Sequence, residues 1–253
     1  MLPAIDAHAH VETSVATKEL FELDALVLAV TTRAEEWAEA GDREDEMTIW
    51  GIGVHPLRQA EVEGFSTSAF EQSVARSLLV GEVGLDRQTL SGRSTAVFEE
   101  ILSVVAQTPR PVTIHSSGAE GDVLHALART PIKAPILHWW RGGVAETKAA
   151  IDLGCHFSLN GAQAGNERLL ESIPPNLVLT ETDYPHSRKR DPDASQPAAV
   201  KTIEDALMAR WGAGQFELRQ RLWRNVAAIF DRCDLLDELP PTAQETILAV
   251  GID

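Results

Sequence analysis

Two histidines one residue apart, His8 and His10, end a short apolar run in Ile5-Asp6-Ala7-His8-Ala9-His10. Alternate side chains of a β-strand share a face, so a His-x-His that closes a strand aims both imidazoles at one point, which suits a divalent cation. Other imidazoles and carboxylates follow apolar, β-branched runs in the same way. His55 stands in Gly53-Val54-His55-Pro56, and Glu82 and Asp86 stand in Gly81-Glu82-Val83-Gly84-Leu85-Asp86. His115 and His138 close two further runs, and Glu181 and Asp183 stand in Glu181-Thr182-Asp183-Tyr184-Pro185. Scattered solvated charges have no reason to choose one end of strand after strand. Imidazole and carboxylate without thiolate suit Zn, Mn, Ni, Co or Fe, and Mg where carboxylate and phosphate oxygens dominate. Such a ligand set serves two ions ~3.5–4 Å apart sharing a carboxylate, with Glu82 as the natural bridge.

These residues need a scaffold that gathers strand ends. Eight candidate strands alternate with amphipathic stretches: Pro3 to Ala7, Ala25 to Val30, Thr48 to Gly53, Ser77 to Val83, Pro111 to Ile114, Ala134 to Leu137, Cys155 to Leu159 and Leu177 to Thr180. The intervening helices are expected at Ser94 to Gln107, Gly121 to Ala128, Val144 to Leu153, Asn166 to Ser172, Ala194 to Trp211 and Phe216 to Arg232. Strand and helix in alternation give parallel strands with covering helices, and eight repeats in 253 residues favour a closed TIM (β/α)8 barrel. The first strand lacks a G-x-G-x-x-G turn and no P-loop is present, which argues against an open doubly wound sheet. Only about fifteen residues separate His10 from the second strand, near the minimum for a crossover, so the first helix is expected to be short. A barrel collects its chemistry at the carboxyl ends of the strands, where the residues named above sit.

Composition narrows the function. The formal charge is −16, from 38 acidic against 22 basic residues, which excludes a broad basic surface for duplex DNA. A polyanionic substrate must then be held locally, and cations in a cleft would invert the field there. The sequence contains no cationic leader and no apolar run of ~20 residues, so the expectation is a cytoplasmic protein without a membrane span. Cys155 and Cys233 form no C-x-x-C pair and read as buried apolar residues. Residues 1–232 are expected to form the barrel, with 233–253 as a C-terminal extension that packs on it or offers an apolar surface to a protein partner.

The blocks Ile5 to His10, Gly53 to Pro56, Gly81 to Asp86, Pro111-Val112-Thr113-Ile114-His115 and Glu181 to Pro185 resemble, in order and spacing, the TatD family of metal-dependent deoxyribonucleases in the amidohydrolase superfamily. The resemblance runs from residue 5 to about Phe230, where Arg224-Asn225-Val226-Ala227-Ala228-Ile229-Phe230 is similar to the family's closing helix. It implies one cation held by His8, His10, Glu82 and Asp183, and a second by Glu82, His115 and His138. His55 would lie near the scissile phosphate, Asp183 would take a proton from the attacking water, and Glu181 would help bind metal or orient that water. Asp86 and Asp6 would support the ligands by hydrogen bonding. The resemblance further implies hydrolysis of phosphodiesters in single-stranded or frayed DNA from the 3′ end. The chain is also compatible with the abbreviated TatD-like proteins of bacterial Qat-type anti-phage operons, which would make its role antiviral defence.

Two departures from the family pattern touch the substrate. Where the family carries His-x-Arg, this chain reads His115-Ser116-Ser117, and after His138 it reads Trp139-Trp140-Arg141-Gly142-Gly143. Arg141 could restore the missing charge, the two tryptophans could stack on unpaired bases or pack under the loop, and Arg188 in Arg188-Lys189-Arg190 could steer a strand inward. His186, Arg87 and Arg93 are lesser candidates for substrate contact. His125 is expected to be exposed and His156 to be a satisfied structural residue. Two other readings stay open: a metal-dependent ester or amide hydrolase such as a mischarged-tRNA deacylase, and a scaffold subunit of a larger assembly.

Overall fold

A computed structural model describes residues 1–251. The parallel strands β1 (Ala4–Ala9), β2 (Ala25–Val30), β3 (Thr48–Ile52), β4 (Leu79–Gly84), β5 (Pro111–His115), β6 (Ala134–His138), β7 (His156–Leu159) and β8 (Val178–Thr180) pair in strict sequence order as one eight-stranded sheet. Helices fill the crossovers: α1 (Thr17–Phe21), α2 (Ala34–Ala40), α3 (Gln59–Glu63), α4 (Thr67–Val74), α5 (Gly92–Gln107), α6 (Glu120–Arg129), α7 (Val144–Asp152) and α8 (Glu167–Ser172). After β8 come α9 (Lys201–Trp211), α10 (Gln215–Asp231) and α11 (Pro241–Val250). This is the TIM (β/α)8 barrel that the alternation predicts, and α1, at five residues, is as short as its crossover requires. The strands are buried on both faces, which is why they read as unbroken Val, Ile, Leu and Ala runs.

The seam between β1 and β8 is closed by particular groups. Asp183 N–H donates to His8 O at 2.9 Å, and His10 N–H donates to Tyr184 O at 2.8 Å. Buried Asp6 accepts from Thr182 N–H (2.8 Å), the Thr182 hydroxyl (2.6 Å) and Ala198 N–H (2.8 Å), so one carboxylate ties the first strand to the chain beyond the last. Its acid strength is weakened to a pKa of about 6 by burial, against which these hydrogen bonds work.

The structure differs from expectation at Ala194 to Trp211. The helix α9 starts only at Lys201, because Pro197 and the left-handed Ala198 (φ 69°) keep the preceding residues in a loop anchored on Asp6. The short helices α2, α3 and α4 were not expected. Their apolar residues are few: α3 buries only Val62, and α2 only Trp37 and Ala40. Beyond α10, the helix α11 lays Ala243, Ile247 and Val250 into the core, while Leu248 faces outward. No helix among the described residues is long and apolar enough to cross a membrane.

Candidate active site

Two β-bulges aim the central groups. From Asp6 to Ala9, β1 spends one residue more than β2 does from Val27 to Ala29, and from Val80 to Val83, β4 spends one more than β5 does from Val112 to Ile114. An extra residue re-aims the side chains around it, and these bulges carry His8 and Glu82. Two glycines permit the approach of neighbouring strands. A Cβ on Gly53 would lie 2.0 Å from Thr31 O and 2.4 Å from Glu82 N, and one on Gly84 (φ +141°) would lie 2.1 Å from His115 O.

Glu82 is the centre of the cluster. Its Oε2 faces His10 Nε2 at 3.2 Å and His8 Nε2 at 3.6 Å. Asp183 Oδ1 stands on that same side, 3.5 Å from His10 Nε2 and 3.9 Å from His8 Nε2. The other oxygen, Oε1, faces His115 Nδ1 (2.8 Å), His138 Nε2 (2.9 Å) and His55 Nε2 (3.2 Å). One buried carboxylate thus divides five imidazoles into two sets, and His55 reaches it as closely as the others do.

The groups behind this ring fix its orientation. His8 stacks on His138 at 3.9 Å, and its Nδ1 is hydrogen-bonded to the Thr113 hydroxyl at 2.6 Å, which leaves Nε2 facing Glu82. Asp86 accepts from His115 Nε2 at 2.8 Å, so Nδ1 is the nitrogen turned inward. His55 Nδ1 accepts from Leu57 N–H at 3.1 Å, which leaves Nε2 as its donor. Glu181 lies behind His138, with its oxygens taken by Trp139 N–H (3.0 Å), Asn160 Nδ2 (3.0 Å) and the Ser158 hydroxyl. It is buried and does not line the mouth, so it holds the loop after β6 and stands 3.7 Å from His138 Nδ1. The loops carry strain where they meet the site. Trp139 (φ 39°) and Asp183 (φ 47°) adopt left-handed conformations that cost ~1–3 kcal/mol, held by the bonds to Glu181 and His8 O.

The electrostatics follow from burial and mutual contact. Burial would raise Glu82, yet the surrounding imidazoles, His55 and His138 first, hold its carboxyl well below the usual carboxylate range. Asp183 is likewise kept low against its burial by the hydrogen bond with His10. His10 is lifted to about 9, its burial outweighed by Asp183 and Glu82. Burial and the neighbouring His138 push His8 down to about 3, so it is neutral at pH 7. Burial raises Glu181.

The donor set fits a divalent cation. His8 Nε2, Glu82 Oε2 and His138 Nδ1 are buried without a hydrogen-bond partner, a costly arrangement unless something else satisfies them. The ligand atoms of His8, His10 and Glu82 lie within 4.8 Å of one another, as do those of His55, Glu82 and His115, and those of His8, His138 and Glu181. These are imidazole and carboxylate donors of the type that binds Zn or Mn.

Above the cluster opens a cavity of about 410 Å³ lined by His10, His55, Glu82, His115, His138 and Asp183, with Arg58, Trp139, Arg141, His186 and Arg190 around its rim. Two of the substrate candidates part here. Trp139 lines the mouth, whereas Trp140 is fully buried with its indole N–H donating to the Thr147 hydroxyl at 2.9 Å, so only one tryptophan is available for stacking. Arg188 does not line the mouth: the turn His186–Lys189 directs Arg190 there instead, with its guanidinium 5.4 Å from the Trp139 ring. Arg93 donates to the carbonyls of Val62, Glu63 and Phe65, which makes it a brace for the loop before α4. His125 is exposed, and His156 is buried with an unpartnered Nδ1 rather than satisfied. Sequence reasoning missed Thr113, Ser158, Asn160 and Arg58. The hydroxyls and the amide had no signal beyond their places on or beside strands, while Arg58 follows His55 closely enough to have been noticed.

The chain has relatives among known proteins. The chain is 26% identical over 224 residues to the uncharacterized metal-dependent hydrolase YcfH of Escherichia coli K12, covering 80% of this chain and 82% of that protein. It is 28% identical over 166 residues to a protein of Klebsiella pneumoniae named 3'-5' ssDNA/RNA exonuclease TatD, covering 61% and 59% of the two. The crystal structure of YJJV, a TatD homolog from Escherichia coli K12, superposes with a TM-score of 0.75 at 19% identity, covering 91% of this chain and 99% of that one, a likeness of fold. The sequence profile described as TatD related DNase matches residues 5–231, and the chain belongs to that family.

Proposed function

We propose that this protein is a metal-dependent hydrolase that cleaves phosphodiesters of single-stranded DNA ends by a two-cation mechanism, working from the 3′ end. The observation that carries the reading is the division of the histidines between the two oxygens of Glu82, which suits a bridging carboxylate. His8, His10, Glu82 and Asp183 would hold one cation and Glu82, His115 and His138 the other. Bound there, the cations would supply Lewis acidity toward a phosphoryl oxygen and toward a water molecule.

The chain's own groups do the rest. Asp183, ionised and facing the mouth, accepts the proton of the attacking water at Oδ1. His55, with Nδ1 already accepting from Leu57 N–H, presents Nε2–H as a donor to a phosphate oxygen. Asp86 orients His115, while Glu181 acts behind His138 as a positioning residue rather than as a group touching the water. Trp139 offers a flat face to an unpaired base at the mouth. In this reading residues 1–232 form the catalytic barrel and the extension covers α10, with 252 and 253 outside the described residues.

Elemental analysis of the purified protein, beside release of nucleotides from end-labelled single-stranded and duplex DNA with Mg or Mn, tests the proposal. Two cations per chain and chelator-sensitive release from single strands are expected. Two cations with hydrolysis of acyl-linked substrates only would replace the phosphodiester by an ester or amide, and a chain that binds no cation would end the hydrolase reading.

A further inference from the structure

Several cations of this acidic chain are spent on carboxylates away from the mouth: Arg33 on Glu36, Arg43 on Asp45, Arg76 on Asp42, Arg129 on Glu99, Arg219 on Glu204. Arg58, Arg141 and Arg190 line the mouth, and among the described residues no carboxylate lies within ion-pairing distance of them. Arg87 belongs with these three. It is exposed and likewise without an ion pair, and it shares with Arg141 and Ser117 a groove of about 530 Å³, whose two carboxylates, Asp86 and Glu120, are engaged by His115 and Gln88 N–H and by Gly118 N–H. Ser117 and Arg141 also line the mouth, so mouth and groove are continuous. Guanidinium groups without an ion pair around one mouth and its adjoining groove, in a chain of net charge −16, suit an anion from outside.

We propose that a single strand of nucleic acid runs from the mouth along this groove, and that the track sets the enzyme's preference for length. This rests on the nuclease reading above. The nucleotide at the reacting end would be clamped by Trp139, which stacks on its base while Arg190, 5.4 Å from the ring, adds charge beside it. The phosphates of the following nucleotides would pass over Ser117 to Arg141 and Arg87, the cations that this chain provides where the family's His-x-Arg has become His115-Ser116-Ser117. A duplex cannot splay its bases in this way, so the track also favours frayed or unpaired ends.

The test measures binding of a fluorescein-labelled oligothymidylate to the metal-free protein in chelator, over a range of salt, and hydrolysis of strands of two to eight nucleotides by the metal-loaded enzyme. Replacing Arg87 and Arg141 together by Ala should lower the magnitude of the salt slope of log K by about 1.4, because each phosphate contact on a single strand contributes about 0.7. The same variant should raise KM about tenfold more for the octanucleotide than for the dinucleotide, whereas Trp139→Ala and Arg190→Ala should raise KM for both. Arg168→Ala, an exposed cation on α8 outside both cavities, serves as the control. A wild-type enzyme that cleaves single strands, with a double variant of unchanged salt slope and length dependence, overturns the track and leaves the nuclease reading standing. A wild-type protein that neither binds nor cleaves the strand overturns both.

Discussion

The two ends of the barrel are built from the same strands and treat polar groups in opposite ways. At the amino ends, side chains are spent on the chain's own backbone. Trp223 donates to Pro3 O at 2.9 Å, Asn225 to Pro175 O and Val178 O, and Arg219 to Leu2 O at 2.8 Å while it pairs with buried Glu204. At the carboxyl ends, titratable groups press against one another and keep donor and acceptor capacity in reserve. Of the six buried side-chain atoms without a partner among the described residues, four (on His8, Glu82, His138 and Asn160) are at the carboxyl ends of the strands, and the base holds only those of Thr48 and His156. A fold that could satisfy its polar groups does so at one end. At the other it leaves them for a cation and a substrate, and the electrostatic cost is carried by the well-paired base.

The sharpest way to break this comparison is Glu82→Ala. Removing the carboxylate that both histidine sets face should lower turnover ~1000-fold or more, beyond the 10–100-fold typical of groups that only orient a ligand, and should remove metal as measured by elemental analysis. Full metal content with full activity would reject the shared carboxylate. Arg219→Ala should act in the opposite sense, leaving Glu204 buried without its partner and costing ~3 kcal/mol in urea unfolding, with turnover per folded molecule unchanged. If activity falls instead, the two ends are not separable.

Asp86→Ala should weaken metal affinity 10–100-fold while the unfolding midpoint of the metal-free protein stays near that of the wild type, because it frees His115 Nε2 without touching the core. The smallest effect concerns pH. His156, at the start of β7, is held to a pKa of about 3 by burial, helped by Arg232, whereas an unfolded histidine titrates near 6.5. The unfolded chain therefore binds the extra proton, so the contribution is complete above pH 6.5 and is lost as pH falls toward 3. The loss reaches about 1.4 kcal/mol at pH 5.5. His156→Gln should flatten that part of the stability profile, and an unchanged profile would show that another group governs it.

The barrel was legible in the sequence because strands buried on both faces must be apolar throughout, and residues such as Ala25 to Val30 mark their own limits. The candidate cluster was legible because His8, Glu82 and His138 stand at or near strand ends, where the barrel gathers them. What escaped depends on direction rather than type. Nothing local distinguishes Trp139 from Trp140, or Arg188 from Arg190: the first pair is divided by a left-handed backbone at Trp139, and the second by the turn after Pro185. Glu181 stands with His8 and His138 in one candidate ligand group, and its hydrogen bonds from Ser158 and Asn160, on another strand and its loop, were beyond local reading. The helices α2 to α4 were missed because five to eight residues with few apolar positions give too little periodicity to read.

The anchoring of Asp6 has a consequence for biosynthesis. His8 and His10 emerge from the ribosome well before Thr182 and Ala198, which hold the strand that carries them, and Asp183 arrives with those later partners. A nascent chain shorter than this has the early histidines without the seam that sets them in place. Truncated products, however well their middle strands fold, should therefore capture cations poorly, which spares the cell a half-made cleft.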